Sequence, residues 1–490
     1  MEFISGASRE QVILLPDTVE DYVDEDNAVR VIEAYVNSLD MDELAFEKPK
    51  PNETGRPMYN PKDMLKLYIY GYMNRVRSSR RLEGEAKRNL EVIWLIRKLR
   101  PDHKTIARFR QANAKALKNV FRDFVKICMS MELYGKELCA IDGSKFRAVN
   151  SKKSNYTKRK LEERQERIEE KIKGYLEEME AQDVREDGAA GGKTREEMAE
   201  IIEELTKRKQ RYKGYAEELE QTGETQKSLT DPESRLMMAN GKTDVCYNIQ
   251  TVTDAKHKMI VAYEVTNNAS DDNQITPMTE QAKEILEVES ITVVTDVGYD
   301  SVQDIVKAMS DGAQVHVAGT DYDICVLGED EGEEIREHKN GRPVYYGERN
   351  IALCPMGHVL YPGYYKEKMG QGVFYNSKAC KGCTNRCTKQ ARRRDYCVRM
   401  AASEFTKTYD DKGIKVKQVR IKADKEIVKQ RKSIVEHPFG TIKRGMDAGY
   451  CLLKGKRKVR GEMSLTFLAY NLKRAINIKG VTKLIQAIKA

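Results

Sequence analysis

Three carboxylates stand out because each sits in a well-formed local pattern. Asp142 follows the apolar run Leu138-Cys139-Ala140-Ile141 and opens Asp142-Gly143-Ser144-Lys145. Asp296 follows Ile291-Thr292-Val293-Val294-Thr295 and opens Asp296-Val297-Gly298-Tyr299. Glu436 lies in Ile434-Val435-Glu436-His437-Pro438-Phe439-Gly440, inside a basic stretch of helical character. Two buried strands ending in Asp, with a later helical Glu, can gather three carboxylates around a pair of divalent ions. A hard cation such as Mg²⁺ takes few carboxylates and several water or phosphate oxygens. Two such ions can activate an attacking oxygen and stabilise a leaving one, which suits phosphoryl transfer on nucleic acid. Each residue also has a plainer reading. Asp142 and Asp296 can be turn aspartates, and Glu436 can pair with Lys432 one helical turn back. Asp271 reads as an N-cap for the helix after it rather than as a fourth acid.

A second group is made of thiols. Cys354, Cys380, Cys383 and Cys387 fall in one segment, and Cys380-Lys381-Gly382-Cys383 forms a CxxC turn. Such a turn supplies two ligands to a tetrahedral structural Zn²⁺. The other two thiols stand outside the tight spacing, so reduced, metal-free cysteines are the alternative. His358 is a substitute ligand.

The elements that must position these groups follow from periodicity and caps. Residues 17–127 read as helical, with Asn60 as N-cap and Pro61 in the first turn of an apolar helix. A dense basic run follows at Arg75-Val76-Arg77-Ser78-Ser79-Arg80-Arg81, and His103 to Arg110 again interleaves basic and apolar residues. This fits a helix-turn-helix-type module, or a solvated helical face. Residues 158–220 carry apolar residues at helical spacing, broken at Gly188-Ala189-Ala190-Gly191-Gly192, which predicts an antiparallel helical hairpin. Val245–Val252 and Met259–Val265 predict a β-hairpin. A helix over 272–288, the strand ending at Asp296, a helix over 301–309 and a strand over 314–318 complete a mixed α/β sheet covered by helices. Chemistry in such sheets sits beyond the carboxyl ends of strands, where Asp142 and Asp296 are expected.

At 490 residues the chain is long enough for two to four domains. Hydrophobic content of 40% and a net charge of +9 describe a water-soluble chain with polar helices. The charge is unevenly placed: Thr441 to Gly480 holds ten Lys/Arg against Asp447 and Glu462, a local excess suited to a phosphate backbone. No apolar run approaches the length of a membrane span, and no signal-peptide pattern opens the chain. Ten cysteines without an export signal point to a reducing compartment, so the expected location is cytoplasmic.

In this order and spacing, several motifs together resemble the bacterial insertion-sequence transposases of the DDE type. They are Tyr59-Asn60-Pro61, His103 to Arg110, Asp142-Gly143-Ser144-Lys145, Tyr247-Asn248-Ile249-Gln250, Thr295 to Tyr299, and Val435 to Arg444. The resemblance implies a ribonuclease-H-like α/β core with flanking helices over 131–319 and 401–480. It also implies an all-α N-terminal DNA-binding domain over 1–130, a helical-hairpin insertion over 158–222 and a Cys-rich insertion over 320–400. Asp142, Asp296 and Glu436 are then the catalytic acids, holding Mg²⁺ or Mn²⁺, with structural Zn²⁺ on Cys354, Cys380, Cys383 and Cys387. Lys443, Arg444, Lys456 and Arg457 would clamp phosphates, and Arg77, Arg80 and Arg81 would engage element ends. Around Glu436 the family pattern has Tyr seven residues before, Arg four before and Lys seven after. Lys443 matches, whereas Lys429 and Lys432 replace Tyr and Arg, with Arg431 adjacent to the expected position. The implied partners are double-stranded DNA, as element ends and target, and further copies of the chain assembled on it. The rivals are a ribonuclease-H-like nuclease that does not join strands and a transposase-derived DNA-binding protein with a dead site.

Overall fold

The computed structural model describes residues 18–47, 58–184, 194–239, 241–329, 332–337, 343–354, 356–383, 393–411 and 415–490. The chain opens with six helices: α1 (Ala28–Ser38), α2 (Pro61–Met73), α3 (Ser79–Arg88), α4 (Leu90–Leu95), α5 (His103–Ala112) and α6 (Ala114–Ser130). The start of α2 follows its sequence. Asn60 accepts a hydrogen bond from Lys62 N at 2.9 Å and Pro61 fills the first turn, where its missing N–H costs nothing.

Next come β1 (Leu138–Arg147), β2 (Asn155–Thr157), the long helices α7 (Lys158–Val184) and α8 (Arg195–Thr222), β3 (Gln226–Ser228), β4 (Arg235–Ala239), β5 (Lys242–Asp254) and β6 (Ile260–Thr266). Then α9 (Ile275–Leu286), β7 (Ile291–Thr295), α10 (Val302–Ser310) and β8 (Ala313–Val317) complete the main sheet. Its order is β4-β5-β1-β7-β8, with β6 also on β5. β1 runs antiparallel to β5 and parallel to β7, and β7 runs parallel to β8. The helical hairpin and the β-hairpin are where periodicity placed them. β1 differs: it continues five residues past Asp142, because Gly143–Arg147 stay paired with Cys246–Gln250 of the long β5.

The chain then leaves the sheet for β9 (Asp321–Glu329), β10 (Gly332–Glu337), β11 (Val344–Tyr346), β12 (Ile351–Leu353), β13 (Val359–Lys366), β14 (Gln371–Tyr375), α11 (Ser377–Gly382), β15 (Tyr396–Arg399) and β16 (Lys415–Lys422). These form a three-stranded sheet, β10-β9-β16, and a five-stranded meander, β11 to β15. The chain returns as α12 (Lys425–Gly440), a π-helical turn over Thr441–Gly445, α13 (Lys456–Lys479) and α14 (Val481–Lys489). No described helix is long and apolar enough to cross a membrane.

α13 is the central strut. It is buried along most of its length and packs on α2, α5, α6 and β6. Gly461 lets it approach α6, since a Cβ there would fall 2.7 Å from Ala114 Cα. Its buried polar groups are all spoken for. Asn471 accepts from Ile260 N at 3.0 Å and donates to Ile260 O at 2.8 Å, acting as one more strand residue on β6. Glu462, fully buried, accepts from Leu452 N at 2.9 Å and Leu453 N at 3.0 Å.

Candidate active site

The α12-facing side of the sheet is set by alternation along β1 and β7. Ala140 and Val294 pack against Ile434 and Val435 of α12. Asp142 and Asp296, two residues further along each strand, therefore face the same helix. α12 puts Arg431 between them, its Nη2 donating to Asp142 Oδ1 at 3.0 Å and to Asp296 Oδ2 at 3.1 Å. Both carboxylates thus stand within reach of one guanidinium. Ser144, next on this face of β1, accepts from Lys443 Nζ at 2.6 Å, and Lys443 also donates to Lys145 O at 3.0 Å. Lys443 reaches there from the π-turn, and its ammonium lies over the Phe146 ring.

Asp271 reaches the same place from the other side of the sheet. It is not an N-cap. The first turn of α9 is capped instead by Asp304, which accepts from Ile275 N at 2.7 Å and Thr276 N at 2.9 Å. Asp271 Oδ1 accepts from Asn248 at 2.6 Å, from Gln250 at 2.7 Å and from Lys145 at 3.1 Å. Lys145 and Gly143 of β1 are on the face shared with Asn248 and Gln250, their partners on β5. The N-cap expected of Asp271 is thus supplied by Asp304, and Asp271 instead binds side chains of β5 and β1. The available signal was the polar pair Asn248 and Gln250 inside an otherwise apolar strand.

Burial pushes the Asp142 carboxyl up from 3.8 to about 6; Arg431 pulls it back, and Asp296 and then Asp271 add to the rise. Burial likewise raises the Tyr299 hydroxyl, with Asp271, Asp142 and Asp296 contributing. Its hydroxyl donates to Gln250 Oε1. Burial lowers the Lys443 ammonium below the ordinary lysine range, an effect that Cys246 and Asp142 oppose. Three acids, Asp142, Asp296 and Asp271, are thus met here by three cations, Arg431, Lys145 and Lys443.

The Asp142 shift carries a stability signature. A carboxyl raised on folding costs nothing below its unfolded pKa, and stability is lost as pH climbs through its folded pKa. For Asp142, from 3.8 to about 6, the loss is on the order of 3 kcal/mol at about 1.36 kcal/mol per unit. In chelator, Asp142→Asn should therefore raise the melting temperature at pH 7.5 and leave it nearly unchanged at pH 4. Equal shifts at both values would show that Asp142 carries no such burden.

Glu436 does not join the two aspartates in this arrangement. It is 65% exposed and lies 3.8 Å from Lys432 Nζ, the plainer of its two readings. Five residues from Arg431, it points about 140° away around the helix. His437 ties α12 to α13 through a 2.8 Å hydrogen bond with the Tyr470 hydroxyl. Arg77, expected in an exposed basic run, is buried, 3.5 Å from Glu462, over the Tyr450 ring and donating to Tyr450 O at 2.9 Å. A positive charge so enclosed is spent on structure. Arg80, Arg81, Arg444 and Arg457 are exposed, and Lys456 is partly so.

Cys354 is buried and its sulfur accepts from His358 N at 3.3 Å. Cys380 and Cys383 lie half-buried at α11; Cys387 falls outside the described residues. Among the described residues no group of three or more His, Cys, Asp or Glu side chains could hold a metal ion, so the zinc expectation gains no support.

Two family models match the chain. Residues 17–112 match a family described as "Transposase domain (DUF772)", and residues 353–476 match one described as "Transposase DDE domain". The chain is a DNA transposase. The two matches support an insertion-sequence transposase of the DDE type; Glu436 and Lys443 lie inside the second match and Asp142 and Asp296 between the two. It also aligns with a cryo-EM structure of a piggyBac transposase synaptic complex with hairpin DNA. That alignment has 10% identity and a TM-score of 0.29, and covers 94% of this chain and 79% of the other. No curated protein matches the chain.

Proposed function

We propose that this transposase cuts strands at the ends of its element and joins the freed 3′ ends to target DNA, with Mg²⁺ or Mn²⁺ held by Asp142 and Asp296. The observation carrying this is that Asp142 in β1 and Asp296 just after β7 are brought to one cation, Arg431, beyond the last paired residues of the two strands. The donor set fits a hard divalent ion: carboxylate oxygens, one of them on a group whose burial leaves its charge undercompensated. Such an ion, when bound, polarises phosphoryl oxygens and lowers the pKa of water. The strand order β6-β5-β1-β7-β8 supports a ribonuclease-H-like core.

The chain's own residues have separable tasks. Arg431 spaces the two carboxylates and prevents their mutual repulsion from splaying β1 from β7. Its Nε is buried and has no partner among the described residues, so the guanidinium has a donor in reserve. A divalent ion and this guanidinium compete for the same oxygens, and a displaced Arg431 can turn to a DNA phosphate, which its fork geometry suits. Lys443, fixed by Ser144, holds positive charge beside Asp142. Glu436 remains the third acid that the resemblance implies, and to act as one it must turn from Lys432 toward the strands. The helical N-terminal segment, with Arg80 and Arg81 exposed on α3, is the proposed reader of element ends. Assembly of further copies on DNA belongs to the same reading.

Incubating the full chain with its flanking DNA ends, a target duplex and Mg²⁺ tests this directly. Joined products support transposition; cleaved but unjoined ends favour a nuclease. Phosphate contacts by the tail are tested separately. Arg444→Ala and Arg457→Ala together should weaken binding alike on specific and random duplexes. They should also flatten log K against log salt by about 0.9 for each lost contact. An unchanged slope would mean that these side chains remain solvated in the complex.

A further inference from the structure

We infer that Tyr299 and Gln250 are positioning residues of this site: their hydrogen bond crosses β1 at Gly143 and fixes the Asp296 turn relative to Asp142 from the face opposite Arg431. The inference rests on the catalytic reading of the two aspartates above. The backbone ladder alone does not set their separation. β1 and β7 pair only from Leu138 with Thr292 to Ala140 with Val294, so Asp142 and Asp296 each stand two residues beyond the last pair. From there β1 stays with β5, while the chain after β7 turns into a short 3₁₀ segment, Val297–Tyr299. On the α12 side Arg431 spans the opening. A divalent ion that competes for the same oxygens removes that brace just when the spacing matters.

On the opposite face the brace is made of side chains. The strand order is β5-β1-β7, so a group after β7 must pass over β1 to reach β5, a span of two strand spacings or roughly 10 Å. Tyr299, fully buried, makes that crossing and donates its hydroxyl to Gln250 Oε1. Gln250 is the register partner of Gly143, and a Cβ at 143 would collide with its Nε2. The missing side chain is therefore the passage through which the tether runs. The amide is also fixed in orientation. Nε2 donates to Asp271 Oδ1 at 2.7 Å, and an ionised carboxylate only accepts, so Oε1 is the atom left for the phenol. Asn248 and Lys145 hold Asp271 in turn, at 2.6 and 3.1 Å. The contacts from Tyr299 through Gln250 to Asp271 thus anchor the Asp296 turn to β5 and to Lys145 of β1, independently of Arg431. They also give a task to the residues that close two of the sequence motifs, Thr295 to Tyr299 and Tyr247 to Gln250.

Tyr299→Phe removes one hydroxyl, and Gln250→Met removes both ends of the amide at similar length. Two readouts on the full chain test the pair: cleavage kinetics on element-end DNA in Mg²⁺, and calorimetric Mn²⁺ affinity at pH 7.5 without DNA. Each substitution should lower kcat on the order of 10²-fold, the scale of a misplacement of about 1 Å, with KM for DNA unchanged. Mn²⁺ affinity should fall at least about tenfold, as when a group orienting a metal ligand is lost. The double variant should lose no more than the worse single, because both substitutions cut one tether. Circular dichroism melting confirms that each variant is folded at the assay temperature. Normal kcat and Mn²⁺ affinity in Tyr299→Phe, beside an Asp142→Asn variant that fails in both, overturns the positioning role. So do losses that multiply in the double variant, or a raised KM with kcat unchanged. If Asp142→Asn cleaves and binds Mn²⁺ as the unaltered chain does, the catalytic reading itself fails and this inference with it.

Discussion

Asp142→Asn should abolish strand cleavage in Mg²⁺ while leaving binding of element-end DNA essentially intact. The substitution keeps size and hydrogen-bonding reach and removes one negative charge from a site built around that charge. Stabilisation of a phosphoryl transition state by a bound metal is worth several kcal/mol, so the rate should fall on the order of 10³-fold or more. On the proposed function, binding rests on basic residues elsewhere and should persist. Cleavage of labelled ends followed on a denaturing gel, beside mobility shifts on the same duplex, measures both quantities. A variant that cuts at nearly the normal rate would remove Asp142 from the chemistry, whatever its position.

The largest stability effect should come from Glu462→Ala. Glu462 is fully buried in α13. It receives two backbone N–H groups from the 446–455 loop and faces Arg77 at 3.5 Å from the helical N-terminal segment. Removing it leaves Arg77 buried and unpaired and leaves two amides unsatisfied. Breaking a buried pair from one side costs about 3–5 kcal/mol. Urea denaturation should show a midpoint lowered accordingly. Glu462→Gln, which can still accept from Leu452 and Leu453, should lose less. A Glu462→Ala midpoint within error of the unaltered chain would mean that the Arg77 network relaxes at no cost.

Local rules carried much of this reading. Asn60 and Pro61 start a helix as their chemistry dictates, the β5–β6 hairpin follows its apolar runs, and two short apolar runs lead Asp142 and Asp296 to one place. What could not be read locally involves partners distant in sequence. Arg77 looks like one charge in an exposed run until Glu462 and Tyr450 enclose it. Arg431 looks like one basic residue among several until α12 is laid against β1 and β7, when it donates to both acids. Glu436 has the right neighbours in sequence, yet the phase of α12 that seats Ile434, Val435 and Arg431 turns it outward. Asp271 sits in a loop with no pattern of its own, and its partners Asn248, Gln250 and Lys145 come from β5 and β1, more than twenty residues earlier in the chain.

The order in which the strands and α12 occur along the chain has a consequence for biogenesis. Asp142 and Arg431 meet across 289 residues of sequence, and the helices α7 and α8 and the strands β9 to β16 lie between them. Loop-closure entropy rises only slowly with length, but contacts this distant form late and slow folding. During synthesis from the N-terminus, β1 and β7 emerge well before α12 and the strut α13 that joins the helical segment to the sheet. A ribosome-bound chain therefore exposes the apolar faces that α13 will cover and holds Asp142 and Asp296 without Arg431 between them. On the proposed function, the centre is completed only once α12 has been synthesised, so a chain that stops short of α12 has no Arg431 between Asp142 and Asp296.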